Sequence, residues 1–463
     1  MFYKIISRPA RTFQSCQKSQ SSAMSPVSAK SGRSPVLSIS SKSQMAGLYK
    51  DGSVISLFAG KNVKKVTINI TDGLENDTMA VSDEVLRDLY LPQGMACQIL
   101  CTQKRIRIGP VVGLLMFAKK SSITSAALKR LLDYALLYNS IKGLLYVFSA
   151  DSIDFETNSV EGFCYNDLEH SWNKGIFPFP DAIYRRASIP KKILYRIQNS
   201  VNNRMYNSSH FNKFDFWNMA SSSPCTSEHL PMTRIYKSIH DIDKMFEKYK
   251  VLFLKPVNGT KAHGLMRITK NDTVYSIQEK MAEKPVYFTS REEVSRYIET
   301  FRKGKKYLVQ EGVDLLKFDN RYIDFRVVMQ KDHLLEWQCT GIIACIGKPG
   351  GVCSNYAAGK CMPFETFFHM HFTYSNEEIF QKKQEIITLC KKTCGILNVK
   401  GKNYADLGID VGLDKNLKPW IFEINNRRHE HRLLLLINDH DAYYRAKANP
   451  VLYGVKLSGF EVW

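Results

Sequence analysis

Beyond Met45 the chain is built of short apolar runs separated by Gly, Asp and Lys clusters, and the spacing inside those runs predicts its elements. Val54–Phe58, Val66–Ile70, Cys97–Cys101 and Val111–Phe117 read as strands of a small β-rich unit. The period then changes. Ala127, Leu131, Leu132 and Ala135 fall at helical spacing within Ser125–Tyr138, and Gly143–Phe148 follows as a continuous apolar strand. Such a β–α–β rhythm implies a parallel sheet, with ligand crevices at the carboxyl ends of its strands. Met1 to about Gln44 shows no hydrophobic period, is rich in serine and has few aromatics, so it reads as a disordered tail.

In the second half, helices are expected over Ser238–Tyr249, Ser290–Arg302 and Asn376–Leu397, and strands over Val251–Pro256, Met266–Thr269, Tyr307–Val313, Tyr322–Lys331 and Trp337–Ile346. Leu407–Leu413 and Pro419–Ile424 are joined by the turn residues Asp414-Lys415-Asn416, which predicts an antiparallel hairpin. Glu423 and Asn425 are two apart, so they share a sheet face on which Asp410 can meet them. These are hard oxygen ligands, suited to Mg²⁺ on nucleotide phosphates and not to zinc. The same residues also describe an ordinary hairpin with solvated acids. Lys255, at the end of a buried-type strand, can reach phosphate oxygens, and the basic loop Asn258–Leu265 behind it carries Gly259 and Gly264. Asp324 and Arg326 lie two apart on one strand face, where they serve either a transferring phosphoryl group or a cross-strand ion pair.

Composition narrows the class. A chain of 463 residues, 44% hydrophobic, has the length for two or three domains. Eleven scattered cysteines, an odd number, argue for reduced thiols. Cys97/Cys101, Cys390/Cys394, His369/His371 and His429/His431 are closely spaced, but no set completes a zinc pattern. No apolar run is long enough to span a membrane, so the protein reads as soluble. The net charge of +21 includes eight basic residues and no acid within residues 1–50, which suits contact with polyanions. It also fits an organelle transit peptide, as the alternative to a solvated tail.

Gly408-Ile409-Asp410 with Phe422-Glu423-Ile424-Asn425 resembles the metal-binding end of ATP-grasp ligases and, more narrowly, of the YheC/YheD family of endospore coat-associated proteins. The resemblance extends to Ile106–Gly113, Pro178-Phe179-Pro180-Asp181, Leu230-Pro231-Met232-Thr233, Asp324-Phe325-Arg326 with Gln330-Lys331, and Asn449-Pro450 with Tyr453. After the disordered basic tail (1–44) and the small β-rich unit (45–120) read from the pattern, it implies an α/β and α+β chain with an α/β domain (121–230) and an ATP-grasp domain (231–463). It further implies Mg²⁺ on Asp410, Glu423 and Asn425. ATP would be held by Lys255, Gly259, Gly264, Gln310, Glu311, Val313 and Asp324, with Lys255 and Arg326 catalytic and Arg186 facing an anionic substrate. The implied activity is a carboxylate–amine ligase working through an acyl phosphate, on an acid the sequence does not name. The alternative is a catalytically impaired ATP-binding protein with an assembly role. Expected partners are an anionic polymer or spore coat components, and the expected location is cytoplasmic or spore-associated. Three departures from the family pattern stand out. Ala262 replaces a loop glycine, Cys345 stands where an arginine is usual, and Asn426-Arg427-Arg428 replaces a small-Pro-Gly turn.

Overall fold

Seven strands close into a barrel at the start of the chain. They are β1 (Phe2–Arg8), β2 (Val36–Ser40), β3 (Val54–Ala59), β4 (Asn62–Thr71), β5 (Thr78–Ser82), β6 (Ala96–Thr102) and β7 (Arg105–Gly109), in the order β1-β5-β2-β4-β3-β7-β6. Alternate residues such as Ile5, Leu37, Ile39, Leu57, Ile68 and Ile106 fill its interior. The computed structural model describes residues 2–8, 35–259, 263–280, 282, 284–351, 360–398 and 401–463. It divides the chain into Met1–Met205 with Val451–Trp463, and Tyr206–Pro450.

The expectation of a packing-free tail over 1–44 is corrected at both ends. β1 pairs in parallel with β5 and antiparallel with β6, closing the barrel, and β2 lies between β4 and β5. Tyr3 and Ile5 are buried on either side of exposed Lys4. That alternation is too short to show in a composition averaged over the whole serine-rich segment, and its strand partners are distant in sequence. Residues 9–34 of the expected tail lie outside the described residues.

The α/β layer begins at Val111 and not at residue 121. Its strands are β8 (Val111–Phe117), β9 (Leu144–Asp154), β10 (Ser159–Asn166), β11 (Ser171–Pro178), β12 (Ala182–Arg185) and β13 (Met205–Tyr206), ordered β11-β10-β9-β8-β12-β13. β8 runs parallel to β9 and β12, while β9, β10 and β11 form an antiparallel meander, so the sheet is mixed. Val111, Leu115, Tyr146 and Phe148 share one core with barrel residues such as Ile55 and Ile108, which explains why composition marked no boundary. The helix expected over Ser125–Tyr138 is instead a helical turn Ser125–Lys129, a 3₁₀ turn Leu132–Ala135 and a turn Tyr138–Ile141. Only Tyr134, Ala135, Tyr138 and Ile141 are buried there, too narrow a stripe to hold a longer helix.

Tyr206–Pro450 holds two antiparallel sheets. The first contains β14 (Thr233–Tyr236), β15 (Val251–Pro256), β16 (Met266–Asn271), β17 (Val274–Glu279), β18 (Val286–Phe288) and β19 (Tyr307–Glu311). Its order is β14-β19-β15-β16-β17-β18. Leu252, Leu254, Ile268 and Val309 face the helices Ile239–Phe246 and Arg291–Arg302, which leaves Phe253, Lys255, Leu308 and Gln310 on the other face. The second contains β20 (Lys317–Phe318), β21 (Arg321–Lys331), β22 (Trp337–Ile346), β23 (Lys360–Pro363), β24 (Asp406–Leu413) and β25 (Pro419–Asn425), ordered β23-β22-β21-β24-β25 with β20 on β21. Ile323, Phe325, Val327, Leu407 and Ile409 pack against the helices Phe364–His371 and Asn376–Gly395. The opposite face carries the candidate site.

Candidate functional site

β24 and β25 form the hairpin, with Asp410 opposite Glu423 and Gly408 opposite Asn425. The register then passes to Val411 opposite Ile421, which makes Phe422 the bulged residue. Because of that bulge Ile421 and Ile424 both reach the core, while Glu423 stays beside Asp410. Asp414 holds the turn, its Oδ1 accepting from the N–H groups of Asn416 at 2.8 Å and Lys418 at 3.0 Å. Asn425 Nδ2 donates to Asp410 Oδ2 at 3.3 Å, so the three oxygen-bearing side chains expected to hold a metal meet on one face.

The neighbouring strand supplies their counterion. Arg326 on β21 stands opposite Asp410 and grips it with both prongs, Nε to Oδ1 at 2.5 Å and Nη2 to Oδ2 at 3.2 Å. Burial works against the guanidinium charge, but Asp410 outweighs it and the pKa is raised. Asp324, two residues before Arg326 on β21, adds to that hold.

Lys255 lies on the facing sheet, its Nζ donating to Gln310 Oε1 at 2.6 Å. Burial pushes its ammonium down to about 8; Glu423 and Asp410 oppose that shift, and Lys213 adds to it. Lys213 escaped sequence reasoning. It opens the helix Lys213–Ser221, whose Asn212 capping box was legible as a helix start. Its Nζ donates to Glu423 Oε1 and to the Gly259 carbonyl, both at 2.9 Å, which ties the glycine loop to the hairpin. Nothing local signals that bond, since Glu423 lies 210 residues away in sequence.

The remaining candidates divide. Gln310 is buried, and its amide nitrogen donates to Thr233 Oγ1 at 2.7 Å, so its side chain orients Lys255. Glu311 accepts from the Met232 N–H at 3.0 Å and returns its own N–H to the Met232 carbonyl at 2.8 Å. The Val313 carbonyl accepts from the Leu315 N–H at 2.9 Å as the chain leaves β19. Gly264, at φ +77°, is forced to be glycine, because a Cβ there would lie 2.6 Å from the Tyr307 hydroxyl. It lines a cavity of about 690 Å³ with Glu279, Tyr297, Tyr307, Lys303 and Lys305. Ala262, the loop position singled out in the sequence, and 352–359 of the loop after β22 lie outside the described residues. Cys345 stands opposite Asp324 on one side and Cys361 on the other, with the two sulfurs 3.7 Å apart.

Arg186 belongs to the other unit, just past β12, and its Nη1 donates to Tyr134 Oη at 3.0 Å. In the same segment buried Asp181 is structural, accepting from Arg107 Nη2 at 2.9 Å and the Val111 N–H at 3.2 Å. In the basic run after β25, His429 and His431 are buried.

Two carboxylates and an amide oxygen on one face, ringed by Arg326, Lys255 and Lys213, are a donor set that fits a hard divalent cation carrying anionic phosphates. Paired antiparallel sheets with this set between them define an ATP-grasp fold. The sequence profile described as YheC/D like ATP-grasp matches residues 202–457, and the chain belongs to that family. It is 25% identical over 404 residues to the endospore coat-associated protein YheD of Bacillus subtilis (strain 168), which covers 82% of this chain and 86% of that protein. YheC of the same organism is 20% identical over 60% of this chain and 79% of its own length. Among solved structures, the ATP-grasp ligase PsnB complexed with minimal precursor is 11% identical, with a TM-score of 0.43 over 74% of this chain and 100% of that one.

Proposed function

We propose that Tyr206–Pro450 binds Mg·ATP and activates a carboxylate substrate. In this reading the carboxylate oxygen attacks the γ-phosphorus, ADP leaves, and an amine or similar nucleophile then displaces phosphate from the acyl phosphate. The observation that carries the proposal is the single face on which Asp410, Glu423 and Asn425 meet beside Arg326, with Lys255 opposite. Asp410, Glu423 and Asn425 would hold Mg²⁺, which when bound neutralises phosphate charge. Lys255 is poised as a phosphate cation by Gln310, and Arg326 offers charge to the transferring group once it exchanges Asp410 for phosphate oxygens. Gly259 and Gly264 frame the loop for backbone contact with phosphates, Asp324 steadies Arg326, and the backbone of Glu311 and Val313 takes the adenine edge. Arg186 offers the other unit a cation for an anionic group.

A binding and assembly role is the second reading, favoured by the self-pairing of Arg326 with Asp410 and of Lys213 with Glu423, and by Cys345. The names of the Bacillus relatives suggest a spore coat setting for it, with coat components or an anionic polymer as partners. No described helix is long and apolar enough to cross a membrane.

Saturating Mg·ATP should raise the melting temperature of the full chain, and Glu423→Gln should abolish the shift. An unchanged wild-type melting curve removes both readings. Release of ADP and phosphate in the presence of a candidate acid selects the ligase; a thermal shift without turnover across a panel of acids selects the binding role.

A further inference from the structure

The segment that leaves β25 turns back over β24 and buries two imidazoles against a carboxylate. His429 Nε2 lies 2.8 Å from Asp406 Oδ1, His431 Nε2 lies 3.1 Å from the same oxygen, and the two nitrogens are 3.2 Å apart. All three side chains have zero exposure. Gln330 Nε2 also donates to that oxygen, at 2.7 Å. Asp406 Oδ1 therefore has three nitrogens within 3.1 Å, two of them imidazole nitrogens that also lie beside each other. The three distances also match three ligand atoms around one centre. Metal–nitrogen bonds of about 2.0–2.1 Å place ligand atoms about 2.8–3.4 Å apart, for angles from right-angled to tetrahedral.

We propose that Asp406, His429 and His431 form a structural site for a borderline divalent transition metal of the zinc class, separate from the oxygen set around Asp410. Two imidazole nitrogens and one carboxylate oxygen are the donors zinc takes, and Mg²⁺ avoids such nitrogen-rich sets. Complete burial makes the site structural rather than catalytic, because no substrate reaches it. Its supports are already in place. Asn207 Oδ1 accepts from the Ala405 and Asp406 N–H groups, each at 3.1 Å, and its amide donates to the Asp406 carbonyl at 2.6 Å. Gly408 leaves room for the ring, since a Cβ there would lie 2.9 Å from His429 Cβ. Because the segment follows directly on Asn425, the metal would pin the end of the hairpin that presents it. The pair His429/His431 was visible in the sequence, but its third ligand comes from a strand 23 residues upstream.

The full chain, purified without a histidine tag, should carry a stoichiometric transition metal by plasma emission spectrometry. His429→Gln and His431→Gln should each lose it, while Asp410→Asn should retain it. Cobalt added to wild-type protein stripped with chelator should give visible d–d absorption without near-ultraviolet thiolate charge transfer, and zinc, not magnesium, should displace that spectrum. Failure of the wild-type chain to bind zinc or cobalt overturns the proposal. So does a thiolate charge-transfer band, which would assign the metal to cysteine. The cobalt spectrum decides the question even where a histidine variant does not fold.

Discussion

Lys255 shows how a residue legible as a phosphate cation acquires a property that only the fold sets. Its place at a strand end was readable, but the burial that pushes its ammonium to about 8 comes from packing against Gln310 and the helix Lys213–Ser221. The sign follows from linkage. Its folded pKa lies below the ordinary lysine value of 10.5, so between about 8 and 10.5 the unfolded chain binds more protons and this group's contribution to stability rises with pH. Phosphate binding works the other way, because it needs the charged form. Affinity for Mg·ATP should therefore fall as pH rises above about 8, by at most ~tenfold per pH unit for one linked proton, and Lys255→Met should bind more weakly and lose that dependence. Titration calorimetry from neutral to alkaline pH checks this, and a slope shared by wild type and variant would count against Lys255. Asp410, Glu423, Asn425 and Arg326 were legible because each sits on an apolar-rich strand whose limits are marked locally. Lys213 and the partnership of Asp406 with His429 and His431 were not, because their links join segments far apart in the chain.

Among elements, the hairpin of β24 and β25 was readable because its turn is local: Asp414 makes the same bonds to the nearby backbone whatever surrounds it. Barrel strand β1 lies at the opposite extreme. Its sequence offers only a brief alternation, and its meaning depends on β5 and β6, whose paired residues begin beyond position 77. The broken helix within 125–138 failed for a third reason, since spacing predicts a face without saying how much of it is covered. Deleting residues 1–8 should open the barrel, expose the cavity left by Tyr3 and Ile5, and unpair one edge of both β5 and β6. Losing two buried side chains costs on the order of 4–8 kcal/mol, enough to remove the cooperative transition of a marginal unit. Circular dichroism and thermal melting of that deletion check it; a melting curve matching the full chain would mean that β1 contributes nothing to the barrel.

At the scale of the whole chain, the sequence marked an ATP-grasp region but not where the chain returns. The family profile ends at residue 457, and Val451–Trp463 belongs with the barrel and its mixed sheet. Phe460 is fully buried, packed where a Cβ on Gly109 would come 2.6 Å from its ring, and Arg107 lies over the same ring at 5.2 Å. Glu461 exchanges backbone hydrogen bonds with the Gln98 side chain, and Trp463 donates its N–H to the Ser140 carbonyl and meets Phe2 edge-on at 6.4 Å. Removing Phe460–Trp463 therefore strips an aromatic plug and leaves buried Gln98 without two of its bonds, a loss of about 3–5 kcal/mol for the phenylalanine alone. Hydrogen exchange resolved by segment should show faster exchange in β1, β6 and β7 of the truncated chain. Mg·ATP added to the full chain should instead slow exchange in β15, β24 and β25. Faster exchange confined to β24 and β25 after truncation would show that the last residues serve the nucleotide-binding unit and not the barrel.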